Sequence, residues 1–294
     1  MTDSTSAPER LLQRLDWTVI RRLDGQLQGD YRTLFRGQGI DFADLREYQW
    51  GDDVRSIDWN VTARMDAPFV RHTHAEREMN AIVVMDASRS MAVGGREHSK
   101  REALVYITAS LLFSAISDQI NTGFVAFGDR VLMSAPPKRS RGAAWAVIEQ
   151  AWAVSSHSRK TLMIPVVRHL MTTLKRMSVV FIVSDFVTDD DVLNSPELGQ
   201  LAAKHDVIAV VPEDRAETQL PPGGGYIHLR DLESGRRVSV GLGRQARSAF
   251  AAAIAERREA LARAFYRVPM DHVFVPTEGS PVLPVLSLFA RRKA

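Results

Sequence analysis

Beyond Met79 the order of apolar and polar positions along the chain follows two alternating patterns. Continuous apolar runs at 80–88, 178–186 and 206–214 are typical of strands that are buried on both faces of a sheet. Longer segments with helical spacing of apolar residues separate or follow these runs, at 96–120, 141–154, 164–177, 197–205 and 244–268. Strands that alternate with helices predict an α/β fold with a mostly parallel sheet flanked by helices.

Shorter patterns complete the predicted elements. Two short strands at 121–129 and 130–136 meet at a Gly-Asp turn signal, and 226–242 reads as a hairpin that turns at ESGR. A last strand is predicted at 270–277. Upstream, the leucine spacing over 10–27 predicts an amphipathic helix, and the alternation at 67–78 predicts an exposed or edge strand.

The same patterns divide the chain into three parts. We assign 1–78 to an N-terminal extension, 79–275 to the α/β domain with its hairpin, helix and strand at the C-terminal end, and 276–294 to a C-terminal tail. No proline- or glycine-rich linker separates the first part from the first buried strand, so we treat it as an extension of the α/β domain.

Composition excludes several classes of site and partner. The 294 residues include no cysteine, which rules out disulfides, thiolate zinc sites, iron–sulfur clusters and cysteine nucleophiles. The N-terminal segment has no signal-peptide core, and the longest apolar run, 103–116, is shorter than the roughly 20 residues that span a bilayer. The formal charge of +3 is spread along the chain rather than clustered. We therefore expect a cytoplasmic protein with neither membrane insertion nor a nucleic-acid partner.

Polar side chains follow two of the predicted buried strands. In an open parallel sheet, ligands bind at the carboxyl ends of the strands, near the point where the strand order reverses. The residues at those ends, with one hydroxyl that precedes a predicted helix, are Asp86, Ser88, Ser90, Asp185 and Thr161. Two carboxylates and three hydroxyls are hard oxygen donors of low total charge, which suit Mg²⁺ or Mn²⁺. Each residue taken alone has a simpler use as a helix cap, and only their common placement favours a metal site.

This arrangement resembles the von Willebrand factor A domain. Its metal-ion-dependent adhesion site has an Asp-x-Ser-x-Ser motif after the first strand, a threonine in a later loop and an aspartate after the fourth strand. The resemblance assigns Asp86, Ser88, Ser90, Thr161 and Asp185 as the metal ligands and implies a Rossmann-type sheet. The usual glycine between the two serines is Arg89 here, and Ser155, Ser156 and Ser158 carry further hydroxyls near Thr161.

A longer match narrows the family. The segment from Gly39 to Glu78, placed ahead of VVMDASRSM, resembles the domain-of-unknown-function 58 family, and the match covers roughly Gly37 to Asp185. The C-terminal tail resembles the family as well. These are bacterial proteins with a von Willebrand A-like domain, typically encoded beside MoxR-type AAA+ ATPases. The resemblance implies protein–protein interaction with such an ATPase or with a client protein, a chaperone or assembly role, and no catalysis.

The segment from Asp41 to Trp59 combines aromatic and charged residues. A nuclease would recruit Glu47, Asp52, Asp53 and Asp58 here, but the arrangement lacks the catalytic lysine spacing that such sites often show. We instead predict a packed, ion-paired element in which Trp50 and Trp59 pack onto the α/β domain. Its ion pairs would join three arginines to four aspartates, namely Arg46, Arg55 and Arg64 with Asp44, Asp52, Asp53 and Asp58.

Three functions remain open from the sequence. The first is a non-enzymatic interaction module in which a bound divalent cation accepts a carboxylate from a partner protein. The second is a metal-dependent phosphohydrolase or nuclease that uses the same cation as a Lewis acid. The third is a metal-free scaffold in which the Arg89 guanidinium occupies the metal position. We favour the first and expect no catalytic residue, because no general base or nucleophilic Asp-x-Asp motif accompanies the site.

Overall fold

The computed structural model of this protein describes most of the chain beyond residue 43. The described residues are 44–50, 52–54, 57–65, 67–72, 79–92, 99–117, 120–155, 158–230 and 237–292. The helix predicted at 10–27 lies outside them.

The chain contacts define two compact units, one over Gln28–Glu78 and one that contains Met79–Ala294. In the described part of the smaller unit, strand β1 (Asp44–Glu47) pairs antiparallel with β2 (Phe69–His72), and a helical turn, α1 (Trp59–Thr62), lies between them in sequence. The alternation at 67–78 therefore does produce a strand, over Phe69–His72, and 73–78 lie outside the described residues.

The aromatic, charged segment of this smaller unit differs from its prediction. Trp50 is fully exposed (101%) and Trp59 is 66% exposed, so neither ring is buried within the smaller unit itself. Their packing onto the α/β domain stays a prediction. The Asp52 carboxylate accepts a hydrogen bond from the backbone N–H of Gln49 at 2.8 Å, and Asp58 accepts one from Val61 at 3.3 Å. Local carboxylate-to-amide bonds of this kind stabilise tight turns, which is a use of aspartate that the charge pattern does not distinguish from ion pairing. Arg55 and the side chains of Asp44 and Arg46 lie outside the described residues.

The larger unit is built on a six-stranded sheet with the order β10-β7-β6-β3-β4-β5. All neighbouring strands are parallel except β4 and β5, which pair antiparallel. The strands are β3 (Asn80–Asp86), β4 (Asn121–Phe127), β5 (Val131–Lys138), β6 (Ser178–Val183), β7 (Asp206–Glu213) and β10 (Asp271–Pro276). The predicted α/β class with a mostly parallel sheet is confirmed. A separate antiparallel hairpin joins β8 (Tyr226–Arg230) to β9 (Arg237–Gly241), as the sequence predicts.

Helices flank this sheet. They are α2 (Lys100–Ser117), α3 (Arg141–Ala153), α4 (Ile164–Thr173), α5 (Pro196–Lys204), α6 (Arg215–Thr218), α7 (Arg244–Arg267) and α8 (Leu283–Arg292). Their starts follow ordinary capping chemistry: the Ser140 hydroxyl accepts from the Ala143 N–H, and the Ser195 hydroxyl caps α5, whose first residue is proline. Among the described helices, none combines the length and the apolar character that a membrane span requires.

The core lies on both faces of the sheet, which explains the continuous apolar runs. Every residue of β6 is buried, and so are the last six residues of β3. Helices on both faces leave no strand face for water, so apolar residues occupy consecutive positions instead of alternating ones.

The C-terminal segment belongs to this core and is more than a tail. Helix α8 buries four apolar side chains, and its Phe289 ring meets the Phe181 ring of β6 edge-on at 6.2 Å between centroids. Its last residue, Arg292, binds the Asp206 carboxylate at 2.8 Å and also contacts Asp271. Apolar residues at helical spacing give this helix its buried face.

Candidate functional site

The predicted polar residues lie at the carboxyl ends of adjacent central strands. Strand β3 ends at Asp86, and its parallel neighbour β6 ends at Val183, whose register partner is Met85. Chain order reverses here, because β4 lies on one side of β3 and β6 on the other. Parallel neighbours that end in register, at the reversal of strand order, bring Asp86 and Asp185 into one crevice.

Asp86 is a buried carboxylate held by two neighbours. Its side chain is 1% exposed; Oδ1 accepts from the Ser88 N–H at 2.8 Å, and Oδ2 accepts from the Ser184 hydroxyl at 2.7 Å. Burial, followed by the nearby Asp185 charge, raises the pKa of Asp86 to about 6, although its hydrogen bonds oppose the shift. The carboxylate is therefore under-compensated: no arginine or lysine of the described chain forms an ion pair with it.

The two serines of the motif follow β3: Ser88 directly precedes a 3₁₀ turn (Arg89–Ala92), and Ser90 lies within it. The Ser88 and Ser90 hydroxyl oxygens are 3.0 Å apart, although Ser88 is buried and Ser90 only partly so. The intervening Arg89 is exposed, which overturns the hypothesis that its guanidinium occupies the metal position as an internal cation.

Thr161 reaches the same end of the sheet through backbone bonds. The next residue, Leu162, donates its N–H to the carbonyl of Gly128, directly after β4, at 2.8 Å. Asp189, in the loop after β6, accepts from the Thr161 N–H at 2.7 Å and donates its own N–H to the Thr161 carbonyl at 2.8 Å. Thr161 is 1% exposed whereas Ser155 is exposed, so Thr161 is the better placed of these two hydroxyls.

Asp185 is anchored on several sides. Its Oδ1 accepts from the Val187 N–H at 3.0 Å, and its backbone carbonyl accepts from the Arg257 guanidinium at 3.1 Å. Its Oδ2 accepts from the Lys100 ammonium at 3.2 Å. The following residue, Phe186, has a φ of 56°, which is a strained conformation for a residue other than glycine, and its ring packs on Phe265 at 4.9 Å. The buried ring and the anchored carboxylate hold this loop in place.

Lys100 is the functional-site residue that the sequence did not reveal. It is 1% exposed and lies between the carboxylates of Asp185 and Glu217. Burial alone would lower the pKa of its ammonium, but the two carboxylates outweigh burial and raise that pKa. Burial also raises the pKa of Glu217. The Lys100 charge opposes this increase only in part, and the charges of Asp185 and Asp214 add to the increase. One signal was available: a cation in the first turn of a helix opposes the helix dipole, so its placement at the start of α2 needs another reason.

The donor set fits a small, hard divalent cation. At Mg–O distances of 2.0–2.1 Å, adjacent ligands of an octahedron lie about 2.9 Å apart, and the Ser88 and Ser90 oxygens, which share a hydrogen bond, are 3.0 Å apart. The under-compensated Asp86 carboxylate would gain from a nearby positive charge. Within the described residues, no group of three or more histidine and acidic side chains is arranged to hold a metal, so the hydroxyls are needed to complete the set.

Comparison with known proteins places the chain in a family. The family model described as "Protein of unknown function DUF58" matches residues 44–260, and the chain belongs to this family. It is 30% identical over 255 residues to the uncharacterized proteins Rv1480 of Mycobacterium tuberculosis H37Rv and Mb1516 of Mycobacterium bovis, covering 86% of this chain and 79% of each relative. The predicted family membership is therefore confirmed.

Matches among solved structures include two bacterial proteins. The conserved hypothetical protein BatB of Bacteroides thetaiotaomicron has a TM-score of 0.48 at 13% identity, over 73% of this chain and 98% of that one. An aerotolerance-related membrane protein of Bacteroides fragilis has a TM-score of 0.46 at 12% identity, over 72% of this chain and 99% of that one.

Proposed function

We propose that this protein is a non-enzymatic interaction module with a von Willebrand A-like domain and a metal-ion-dependent adhesion-type site for Mg²⁺ or Mn²⁺. The observation that carries the proposal is the buried Asp86 carboxylate, which has no cationic partner in the described chain and lies two residues before a pair of hydroxyls 3.0 Å apart. Buried carboxylates are normally paired with a cation or coordinate a metal, and this one has the neighbours for the second use.

The residues divide into ligands and supports. Ser88, Ser90 and Thr161 would hold the cation through their hydroxyls, and Asp86 and Asp185 would supply its negative charge, directly or through water. Ser184 orients Asp86, because its hydroxyl donates to Oδ2 at 2.7 Å while accepting from the Phe186 N–H at 3.0 Å. When bound, the cation supplies an electrophilic centre that a carboxylate of another protein can complete.

The resemblance described in the sequence analysis is to proteins that are typically encoded beside MoxR-type AAA+ ATPases. On that ground we propose that such an ATPase, or its client, offers the carboxylate in a cytoplasmic assembly or maturation step. An acidic side chain on the partner would bind only to the metal-loaded module, so capture would be lost with a chelator.

The experiment that tests the site is calorimetric titration of Mg²⁺ and Mn²⁺ into the wild type, Asp86→Ala and Asp206→Asn. Asp206 is the first residue of β7, so it lies at the amino ends of the strands, away from the candidate site, and it pairs with Arg292. Its variant therefore controls for the removal of a partly buried carboxylate. We expect saturable binding by the wild type and by the control, and binding at least about tenfold weaker in Asp86→Ala.

Two outcomes would reject the proposal. The first is a folded wild-type protein that binds neither ion, which would leave a metal-free scaffold. The second is Asp86→Ala that binds as well as the wild type. The same preparations are assayed with generic phosphoesters and plasmid DNA, where turnover that is lost in Asp185→Ala would replace the interaction module with a hydrolase.

A further inference from the structure

A buried cation of the protein itself lies beside the candidate metal site. Lys100 opens α2, and its ammonium contacts Asp185 at 3.2 Å and Glu217 of α6 at hydrogen-bonding distance. Its side chain is 2% exposed, so bulk water and salt screen its charge little. Arg257 binds the backbone carbonyl of Asp185, which leaves the carboxylate charge itself to Lys100.

The Asp185 carboxylate consequently serves two parts of the molecule. On one side its charge repels the Asp86 carboxylate. On the other side it is the counterion of Lys100. A divalent cation held by Asp86 and the motif serines would be attracted by the same Asp185 charge and repelled by the Lys100 ammonium.

We infer that Lys100 is a tethered competitor of the divalent cation: its ammonium neutralises Asp185 and thereby sets the affinity of the site. This inference rests on the proposed function, because it concerns the cation of that site. Glu217 has the opposite effect, since it shares the Lys100 charge and leaves more of the Asp185 charge available. Lys100 is thus an affinity-setting residue that need not touch the metal.

The inference predicts opposite changes in two variants. Lys100→Met removes the competitor while keeping the length of the side chain, and we expect Mg²⁺ and Mn²⁺ to bind at least about tenfold more tightly. Glu217→Gln leaves Lys100 with Asp185 as its remaining carboxylate partner among the described residues. We expect the variant to bind Mg²⁺ and Mn²⁺ about threefold more weakly than the wild type. The matched control is Arg130→Met, which removes a cation of 73% exposure in the loop after β4 and should leave the affinity unchanged.

The measurement is calorimetric titration of each metal salt, repeated as metal-dependent thermal stabilisation of the same proteins. Tighter binding in Lys100→Met together with weaker binding in Glu217→Gln supports the inference. If Lys100→Met does not fold, the weakening in Glu217→Gln relative to Arg130→Met decides the matter.

The failures are distinguishable. A wild type that binds metal, with folded Lys100→Met and Glu217→Gln of unchanged affinity, overturns the competition and leaves the proposed site standing. Binding by neither the wild type nor folded Lys100→Met overturns both the site and the competition.

Discussion

Replacing Asp86 by asparagine should stabilise this protein in the absence of divalent cations. The substitution keeps the shape of the side chain and removes a charge that is buried without an ion-pair partner in the described structure. The asparagine carbonyl can still accept from the Ser88 N–H, and its amide can donate to the Ser184 oxygen. A stabilising substitution at a candidate ligand is expected where a site has been arranged for binding at the expense of stability.

The magnitude follows from the proton affinity of the group. Burial, then the Asp185 charge, raises the pKa of Asp86 from 3.8 to about 6, and each tenfold change in proton affinity is worth about 1.4 kcal/mol. Keeping this carboxyl ionised in the folded state therefore costs about 3 kcal/mol at pH 7. The variant loses the acceptor of the Ser184 hydroxyl hydrogen, at about 1 kcal/mol. We expect a net gain of about 1–2 kcal/mol.

The sign of the pH dependence identifies the cause. A carboxyl whose folded pKa is raised binds more protons in the folded state between about pH 4 and 6, so it lowers the stability of the wild type as pH rises through that window. The advantage of Asp86→Asn should thus be absent near pH 4, grow up to about pH 6 and stay constant above it.

The assay is urea unfolding, followed by tryptophan fluorescence at several pH values between 4 and 8 with a chelator present. Asp206→Asn is the matched control. It should lower the free energy of unfolding instead of raising it, because Asp206 is ion-paired with Arg292 at 2.8 Å. Added Mg²⁺ should stabilise the wild type and not Asp86→Asn, which narrows the difference. A variant that is less stable than the wild type at pH 7 without metal, or a difference that does not change with pH, would refute the reasoning.

Two further predictions concern the core. His205 is 5% exposed, and neither of its ring nitrogens has a hydrogen-bond partner among the described residues; burial, with the Lys204 charge, lowers its pKa below 6.5. The wild type should therefore lose stability as pH falls below about 6.5. His205→Leu should reduce that loss and be about 1–3 kcal/mol more stable than the wild type in urea titrations at pH 5.5. If stability depends on pH equally in both proteins, the prediction is contradicted. Gly123→Ala should destabilise the protein by about 1–3 kcal/mol in the same titrations, because a Cβ there would lie 2.7 Å from Cδ1 of Ile82 and 3.2 Å from the Ala135 carbonyl. An unchanged stability would show that these neighbours move to accommodate the methyl group.

The sequence determined the sheet and its flanking helices because their signals are local. Apolar runs such as 178–186 can be satisfied only between two layers of helices, so burial on both faces was already encoded in the order of residues. The polar residues Asp86 and Asp185 were likewise found from the strand ends they follow, since the carboxyl ends of neighbouring parallel strands meet at one edge. Their role as metal ligands stays a prediction.

Tertiary structure alone decided which partners these groups acquired. The Ser184 hydroxyl and the Asp86 carboxylate are 98 positions apart in the chain, and the Lys100 ammonium and Asp185 are 85 apart. Nothing in the spacing of a lysine at the start of a helix states which carboxylate it will meet, because that depends on how α2 packs against the ends of β6 and β7. Exposure was equally beyond the sequence: Trp50 reads as a packing residue but is fully exposed. Residue type determines what a side chain can do, and packing determines which charge it contacts, which is why the contact between Lys100 and Asp185 was found only in the fold.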